Sequence, residues 1–348
     1  MRVLNIMLAQ VRGGVETMSL RYHQVLRHAG FDVLSLGHAH GVFAEAVAAG
    51  EMAPDDFVRM DALINHDPRA AWQLRRIHAH FKPDIVLAHG NRPTGIALLP
   101  FVGTAGKTVQ VAHNFRHKSQ VDRVRAVISV SASVHDSLMN AHPNVPVFDV
   151  LNFGPLDARP VKPAPTDMPV IGTLGRLHPN KGIDVLLRAI ARLRARGVAV
   201  RLKVAGDGPE KPALQALTTE LGLTHVVEFV GWVSPPADYL QTLDLFVLPS
   251  RVEPFGLVVA ESMAAGVPVV ASRIDGPVEI LKGGGLGRLA PPDDAAGLAD
   301  AIAAALEDWD TSLAMAAQAQ AHAVANFSLA AGEHRLTHVL EQIARIMI

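Results

Sequence analysis

The stretch Leu243-Asp244-Leu245-Phe246-Val247-Leu248-Pro249-Ser250-Arg251-Val252-Glu253-Pro254-Phe255-Gly256-Leu257-Val258-Val259-Ala260-Glu261-Ser262-Met263-Ala264-Ala265-Gly266-Val267-Pro268-Val269-Val270-Ala271 reads as strand, loop, helix, strand. Its ends, 243–248 and 267–271, are short apolar runs of the length of a strand buried on both faces, and 257–265 between them has helical spacing. The alternation continues outward in both directions. Apolar, β-branched runs recur at 3–9, 31–36, 84–89, 108–112, 126–130, 145–151, 170–174, 200–205 and 226–230. Helical stretches fall at 15–29, 69–81, 133–141, 183–196, 209–221 and 295–308. Strand alternating with helix predicts an α/β chain whose parallel sheets are covered on both faces, the doubly wound Rossmann-like arrangement.

Proline marks the division of the chain. Pro155, Pro160, Pro163, Pro165 and Pro169 crowd a segment with little apolar content, which is linker chemistry. The expected plan is a first domain at 1–152, a Pro-rich linker at 153–169, a second domain at 170–328 and a last helix at 329–348. That helix carries Leu336, Val339, Leu340, Ile343 and Ile346 on one stripe and could pack on either domain, including back on the first. Twelve of the 17 histidines precede residue 150, so the two halves are not close repeats.

Composition removes several classes of function. The 348 residues suffice for two cores, and 49% hydrophobic with 19% charged residues is far from a disordered composition. Lys plus Arg number 32 against 33 Asp plus Glu, so nothing drives the whole chain toward nucleic acid. The absence of cysteine excludes disulfides, thiolate zinc sites, iron–sulfur clusters and cysteine nucleophiles, and makes the cytoplasm the natural compartment. The first ten residues read as a strand instead of a signal peptide, and no apolar run reaches the ~20 residues of a membrane span.

Ligands of open α/β sheets sit at the carboxyl ends of strands, which directs attention to four loops. After 3–9, Arg12-Gly13-Gly14 opens a helix and leaves its first amides uncovered; a plain tight turn explains it equally well. After 170–174, Gly175-Arg176-Leu177-His178-Pro179-Asn180-Lys181-Gly182 brackets a turn with two cations at a helix N-terminus, a clamp for phosphate, with a pair of solvated surface charges as the plainer alternative. After 200–205, Gly206-Asp207-Gly208-Pro209 imitates a dinucleotide fingerprint without its third glycine, which argues against an NAD site. After 243–248, Glu253 precedes a helix tip while Glu261 stands two turns into that helix. Hydroxyls at both ends of a ligand and a diphosphate in its middle suit this spacing. Glu261 lies among apolar neighbours, where a carboxylate needs a partner.

Together these segments resemble the retaining glycosyltransferases of family GT4, called group 1, which have the GT-B fold of two Rossmann-like domains facing across a cleft. Glu253 and Glu261 match the family's Glu-x7-Glu signature. Gly13-Gly14 resembles the first-domain glycine loop, Gly175-Arg176-Leu177 with Lys181-Gly182 the phosphate motif, and Gly206-Asp207-Gly208 the loop that follows. Phe229-Val230-Gly231-Trp232-Val233 resembles the base-side loop. The resemblance implies that Arg176 and Lys181 hold the diphosphate, Glu261 the ribose and Glu253 the transferred sugar, with Phe255, Gly256, Leu257 and Val258 at the donor loop. His113 in Val109-Gln110-Val111-Ala112-His113-Asn114 matches the first-domain histidine that faces the sugar; a lone histidine at a strand end is otherwise often a satisfied polar residue. Two departures stand out: Asn152-Phe153-Gly154 replaces the usual Asn-Gly pair, and Ser262 replaces an alanine.

The expected activity is transfer of a sugar from a nucleoside diphosphate sugar to an acceptor hydroxyl with retention, the acceptor being a glycan, a lipid-linked or a lipopolysaccharide-type molecule. No cofactor or metal is expected, because cations and helix-tip amides can stabilise the departing diphosphate. Asp308-Trp309-Asp310 spells the metal-dependent Asp-x-Asp, but it ends a helix and follows no strand. A basic cluster of Arg116, His117, Lys118, Arg123 and Arg125 reads first as a solvated face; an anionic acceptor or the headgroups at the inner face of a membrane would also suit it. The rivals are a nucleotide-sugar 2-epimerase of the same fold and a non-catalytic sugar-nucleotide-binding protein.

Overall fold

The computed structural model describes residues 1–10, 13–62, 64, 66–161 and 168–346. Arg12 of the first glycine loop and residues 162–167 of the expected linker lie outside the described residues. The chain divides into two units, Met1–Gly154 with Leu329–Ile348 and Pro155–Ser328.

The first unit holds seven strands: β1 (Arg2–Met7), β2 (Asp32–Gly37), β3 (Phe57–Arg59), β4 (Ile85–His89), β5 (Thr108–Ala112), β6 (Ala126–Ser129) and β7 (Val147–Asp149). They form one parallel sheet in the order β3-β2-β1-β4-β5-β6-β7. β4, β5 and β6 are buried at every residue, which is why they read as uninterrupted apolar runs. Leu4, Ile6, Leu36, Val86 and Leu74 of the helix Pro68–Phe81 fill one face; Met7, Leu20, Val42 and Phe43 fill the other. Each such side chain contributes about 1.5–3 kcal/mol by leaving water.

The last helix, Leu329–Ile346, belongs to this first unit and lies on the helix Gly14–His28. Its stripe of Leu336, Val339, Leu340 and Ile343 is buried. The departure at 152–154 finds its reason here: Phe153 is fully buried, stacks on Tyr22 at 5.7 Å, and occupies the space that a side chain at Gly332 would need.

The second unit holds β8 (Val170–Leu174), β9 (Arg201–Ala205), β10 (Val227–Gly231), β11 (Leu245–Leu248), β12 (Val269–Ser272) and β13 (Arg288–Ala290), parallel in the order β10-β9-β8-β11-β12-β13. Its core joins Ile171, Val204 and Val247 to Leu186 and Ile190 of the helix Ile183–Ala195 and to Leu298 and Ile302 of the helix Ala295–Glu307. Asp308 does more than end that helix. It caps the next one, Trp309–Phe327, by accepting from the Thr311 amide at 3.3 Å, so Asp308-Trp309-Asp310 is a junction between helices.

Candidate active site

In the second sheet the strand order reverses between β8 and β11, and there the loops 175–182 and 249–256 come together. Such a switch point opens a crevice at the strand ends of an open parallel sheet. Backbone bonds knit the first of these loops to the loop that follows β9. The Gly175 amide donates to Ala205, Leu177 to Asp207, and Glu210 to Leu177, at 3.1, 2.9 and 3.1 Å. The approach requires glycine at 206, where φ is +120° and a Cβ would run into the Gly175 carbonyl. Gly182, left-handed at φ +62°, ends the short turn Pro179–Lys181 and leaves room for the Pro249 carbonyl.

Arg251 fastens the two loops. Its guanidinium grips both carboxylate oxygens of Asp184 at 2.9 and 2.7 Å, donates to the Pro179 carbonyl at 2.7 Å and to Asp293 at 2.8 Å, while its amide donates to Asn180. Partial burial alone would raise the Asp184 carboxyl, but the hydrogen bonds and charge of Arg251 hold it below its ordinary value. Neither residue stood out in the sequence. An acidic residue in the first turn of a helix and an arginine in a loop are common, and 67 positions separate them.

The charged centre is the pair Lys181 and Glu253, with Nζ to Oε2 at 2.5 Å; their side chains are 28% and 12% exposed. Ser250 adds a weak contact to Glu253 at 3.5 Å, and the Gly276 amide donates to the Glu253 carbonyl at 3.2 Å. The two residues assigned by resemblance to different parts of a ligand therefore hold each other. Arg176, in the same loop as Lys181, is exposed. Gly256, at φ +92°, starts the helix Leu257–Ala264 without a side-chain cap, and Leu257 and Val258 form its half-buried first turn. Phe255 is buried edge-on against Phe327 at 5.6 Å and anchors the turn. Glu261 is half-buried one turn further on. At the end of β10, Gly231 accepts from the Gly206 amide at 2.7 Å, and the next residue, Trp232, is 71% exposed, an indole free to stack on a planar ligand.

In the first unit, Gly13 precedes the helix Gly14–His28 with no side-chain cap, and among the described residues nothing lies within 4 Å of a Cβ placed on Gly14. His113 follows β5 and is not alone. His89, the last residue of β4, places Nδ1 2.9 Å from His113 Nε2, with the rings stacked at 5.2 Å. Burial pushes the His113 imidazole down to about 4, so it is neutral at pH 7 and serves as a hydrogen-bonding group there. His89 was missed in the sequence. The signal was a polar residue closing the apolar run 84–89 just before Gly90. Of the basic cluster, Arg116, Lys118, Arg123 and Arg125 are exposed, while His117 turns against His142. Among the described residues no group of three or more His, Asp or Glu is arranged to hold a metal ion, and no helix is long and apolar enough to cross a membrane.

Two Rossmann-like α/β units with these loops define the GT-B class of fold. Residues 157–322 match the family model described as glycosyl transferases group 1. The lipopolysaccharide core biosynthesis glycosyltransferase LpsE of Rhizobium meliloti is 37% identical over 164 residues, 47% of each chain, so the chain spans about half the length of this relative. The phosphatidyl-myo-inositol mannosyltransferase of Mycolicibacterium smegmatis is 29% identical over 86% of this chain and 82% of its own. Among solved structures, Anabaena Alr3699/HepE in complex with UDP and glucose superposes with a TM-score of 0.83 at 22% identity, covering 98% of this chain and 100% of that one.

Proposed function

We propose that the chain is a retaining glycosyltransferase that moves a sugar from a nucleoside diphosphate sugar to an acceptor hydroxyl without a metal ion. The observation that carries the reading is the meeting of Lys181, Glu253 and the uncapped tip of the helix Leu257–Ala264 at the switch point of the second sheet. When the bond between the anomeric carbon and the diphosphate breaks, negative charge gathers on the leaving oxygen. The first-turn amides supply positive charge fixed in advance, and Lys181 and Arg176 add theirs once they turn to the diphosphate. Glu253 accepts hydrogen bonds from sugar hydroxyls once a diphosphate draws Lys181 away, Glu261 accepts from the ribose, and Trp232 stacks on the base. The acceptor oxygen bonds to the anomeric carbon as the bond to the diphosphate breaks, and its hydroxyl proton passes to the departing diphosphate oxygen. The lipopolysaccharide and phosphoinositide relatives favour a glycan or lipid-linked acceptor.

A panel of nucleoside diphosphate sugars, read by thermal stabilisation and calorimetry and then by NMR of the transferred linkage, tests the reading. One donor should stabilise the protein by about 2.7 kcal/mol at a hundredfold its Kd. Its anomeric configuration should persist in the product, and a chelator should leave the rate unchanged. Binding by no donor, inversion in the product, or an absolute need for a divalent cation would each overturn the corresponding part.

A further inference from the structure

A buried polar chain crosses the first unit at the ends of its central strands. Asn5 on β1 is fully buried, and its Nδ2 donates to the Ser19 carbonyl at 3.0 Å and to Ser35 Oγ at 3.3 Å. A main-chain carbonyl only accepts, so the amide cannot be turned around and its Oδ1 faces His89 Nε2 at 2.8 Å. That oxygen also only accepts. His89 Nε2 therefore carries the hydrogen. Burial, with the neighbouring His113, holds His89 neutral, so its Nδ1 is bare. The contact at 2.9 Å then has one polarity: His113 Nε2 donates to His89 Nδ1. A neutral imidazole has one N–H, which leaves His113 Nδ1 a lone pair. This atom is buried, His113 as a whole being 8% exposed, and has no hydrogen-bond partner among the described residues. An acceptor left unmet in such a place is costly, and a ligand group can meet it. Asn5 and His89 also flank the reversal of strand order between β1 and β4, where an open sheet offers its crevice.

We propose that Asn5 and His89 are positioning residues that lock His113, the histidine that the family resemblance already turns toward the sugar, as its Nε2–H tautomer, so that its bare Nδ1 can accept only from a neutral hydroxyl. The assignment of the hydroxyl to a sugar rests on the function proposed above. An oxygen of a phosphate or carboxylate would face a lone pair and be disfavoured.

Long-range proton–nitrogen NMR on the full chain, labelled with 15N-histidine, reports which ring nitrogen carries the hydrogen. At pH 7 His113 should show a protonated Nε2 and a bare Nδ1. The Nδ1 signal should move on adding the nucleoside diphosphate sugar that calorimetry shows to bind, and stay when the nucleoside diphosphate alone is added. His89→Phe keeps a ring but removes the acceptor, and should free the His113 tautomer and lower kcat at least tenfold with nucleoside diphosphate affinity retained. His89→Asn returns an oxygen near the Nδ1 position and should recover most of the loss. A protonated Nδ1 in the unsubstituted protein overturns the proposal whether or not any variant folds. So does a His113 that ignores a sugar nucleotide shown by calorimetry to bind, or full turnover in His89→Phe. If calorimetry finds no sugar nucleotide that binds, the functional reading fails instead, while the tautomer stands or falls on the ligand-free spectrum.

Discussion

Removing Lys181 from the ligand-free protein should cost more than neutralising Glu253, although the two form one ion pair. The carboxylate is the more buried partner, 12% exposed against 28% for the ammonium, and among the described residues it keeps without Lys181 only the long contact from Ser250. An exposed pair is worth about 0–1 kcal/mol, whereas breaking a buried one costs about 3–5. Partial exposure on both sides puts Lys181→Met between these limits, at about 1–3 kcal/mol. Glu253→Gln should cost about 0.5–1.5, because the amide still accepts from Lys181 and the ammonium reaches water. The double variant removes both charges and should recover about 1 kcal/mol relative to the sum of the single losses. In a unit of this size each kcal/mol moves Tm by about 2–4 °C, so calorimetric melting of the four proteins resolves the cycle. Losses that add without coupling, or a larger loss in Glu253→Gln, would refute the reasoning. The same pair competes with a bound diphosphate for Lys181, so Glu253→Gln should bind nucleoside diphosphate at least as tightly as the unsubstituted protein while transfer falls.

Acid should destabilise the first unit. Burial holds His23 and His113 at about 4 against an ordinary 6.5, so below pH 6.5 the unfolded chain takes up protons that the folded one refuses until about pH 4. Their contribution is complete above pH 6.5 and is lost as the pH falls toward 4, by at most about 3 kcal/mol per histidine; urea unfolding that is flat from pH 7 to 4.5 would contradict it. Gly206→Ala should unfold or strongly destabilise the second unit, because its Cβ meets the Gly175 carbonyl, whereas Gly197→Ala, at φ +82° in open space, should cost only about 1 kcal/mol; equal melting temperatures would remove the close approach of the loops. Arg251→Lys should lose the two-point grip on Asp184, lower stability by about 1 kcal/mol at these partly exposed positions, and weaken donor binding through the loosened loops; unchanged melting and affinity would make the contact ornamental.

The small strands show where sequence stopped predicting structure. β3 (Phe57–Arg59) and β13 (Arg288–Ala290) are three residues long, half-exposed, and lie at the edges of their sheets, so neither leaves an apolar run to find. The helix Asn91–Ala97 was equally hidden, being one short turn series holding Pro93 and Gly95. In the second unit the glycines at 175, 182, 206 and 208 were legible because tight loops after strands need them, and Glu253 and Glu261 because they bracket a helix start. What each of them touches was not legible.

The sequence by itself determined the α/β class, the position of nearly every central strand and the glycine-bearing loops that follow the strands of the second sheet. Strands buried on both faces must be apolar at each residue, and that constraint is local. Only the tertiary structure decided that Lys181 holds Glu253, that Arg251 ties Asp184, and that His113 rests on His89 and Asn5. These partners lie 72, 67 and, for His89 with His113 and with Asn5, 24 and 84 residues apart. They meet because β8 lies beside β11, and because β1 lies between β2 and β4, with β5 beyond. That order comes from how each crossover helix packs back on its sheet, an energy shared by the whole core and written in no single stretch of the chain.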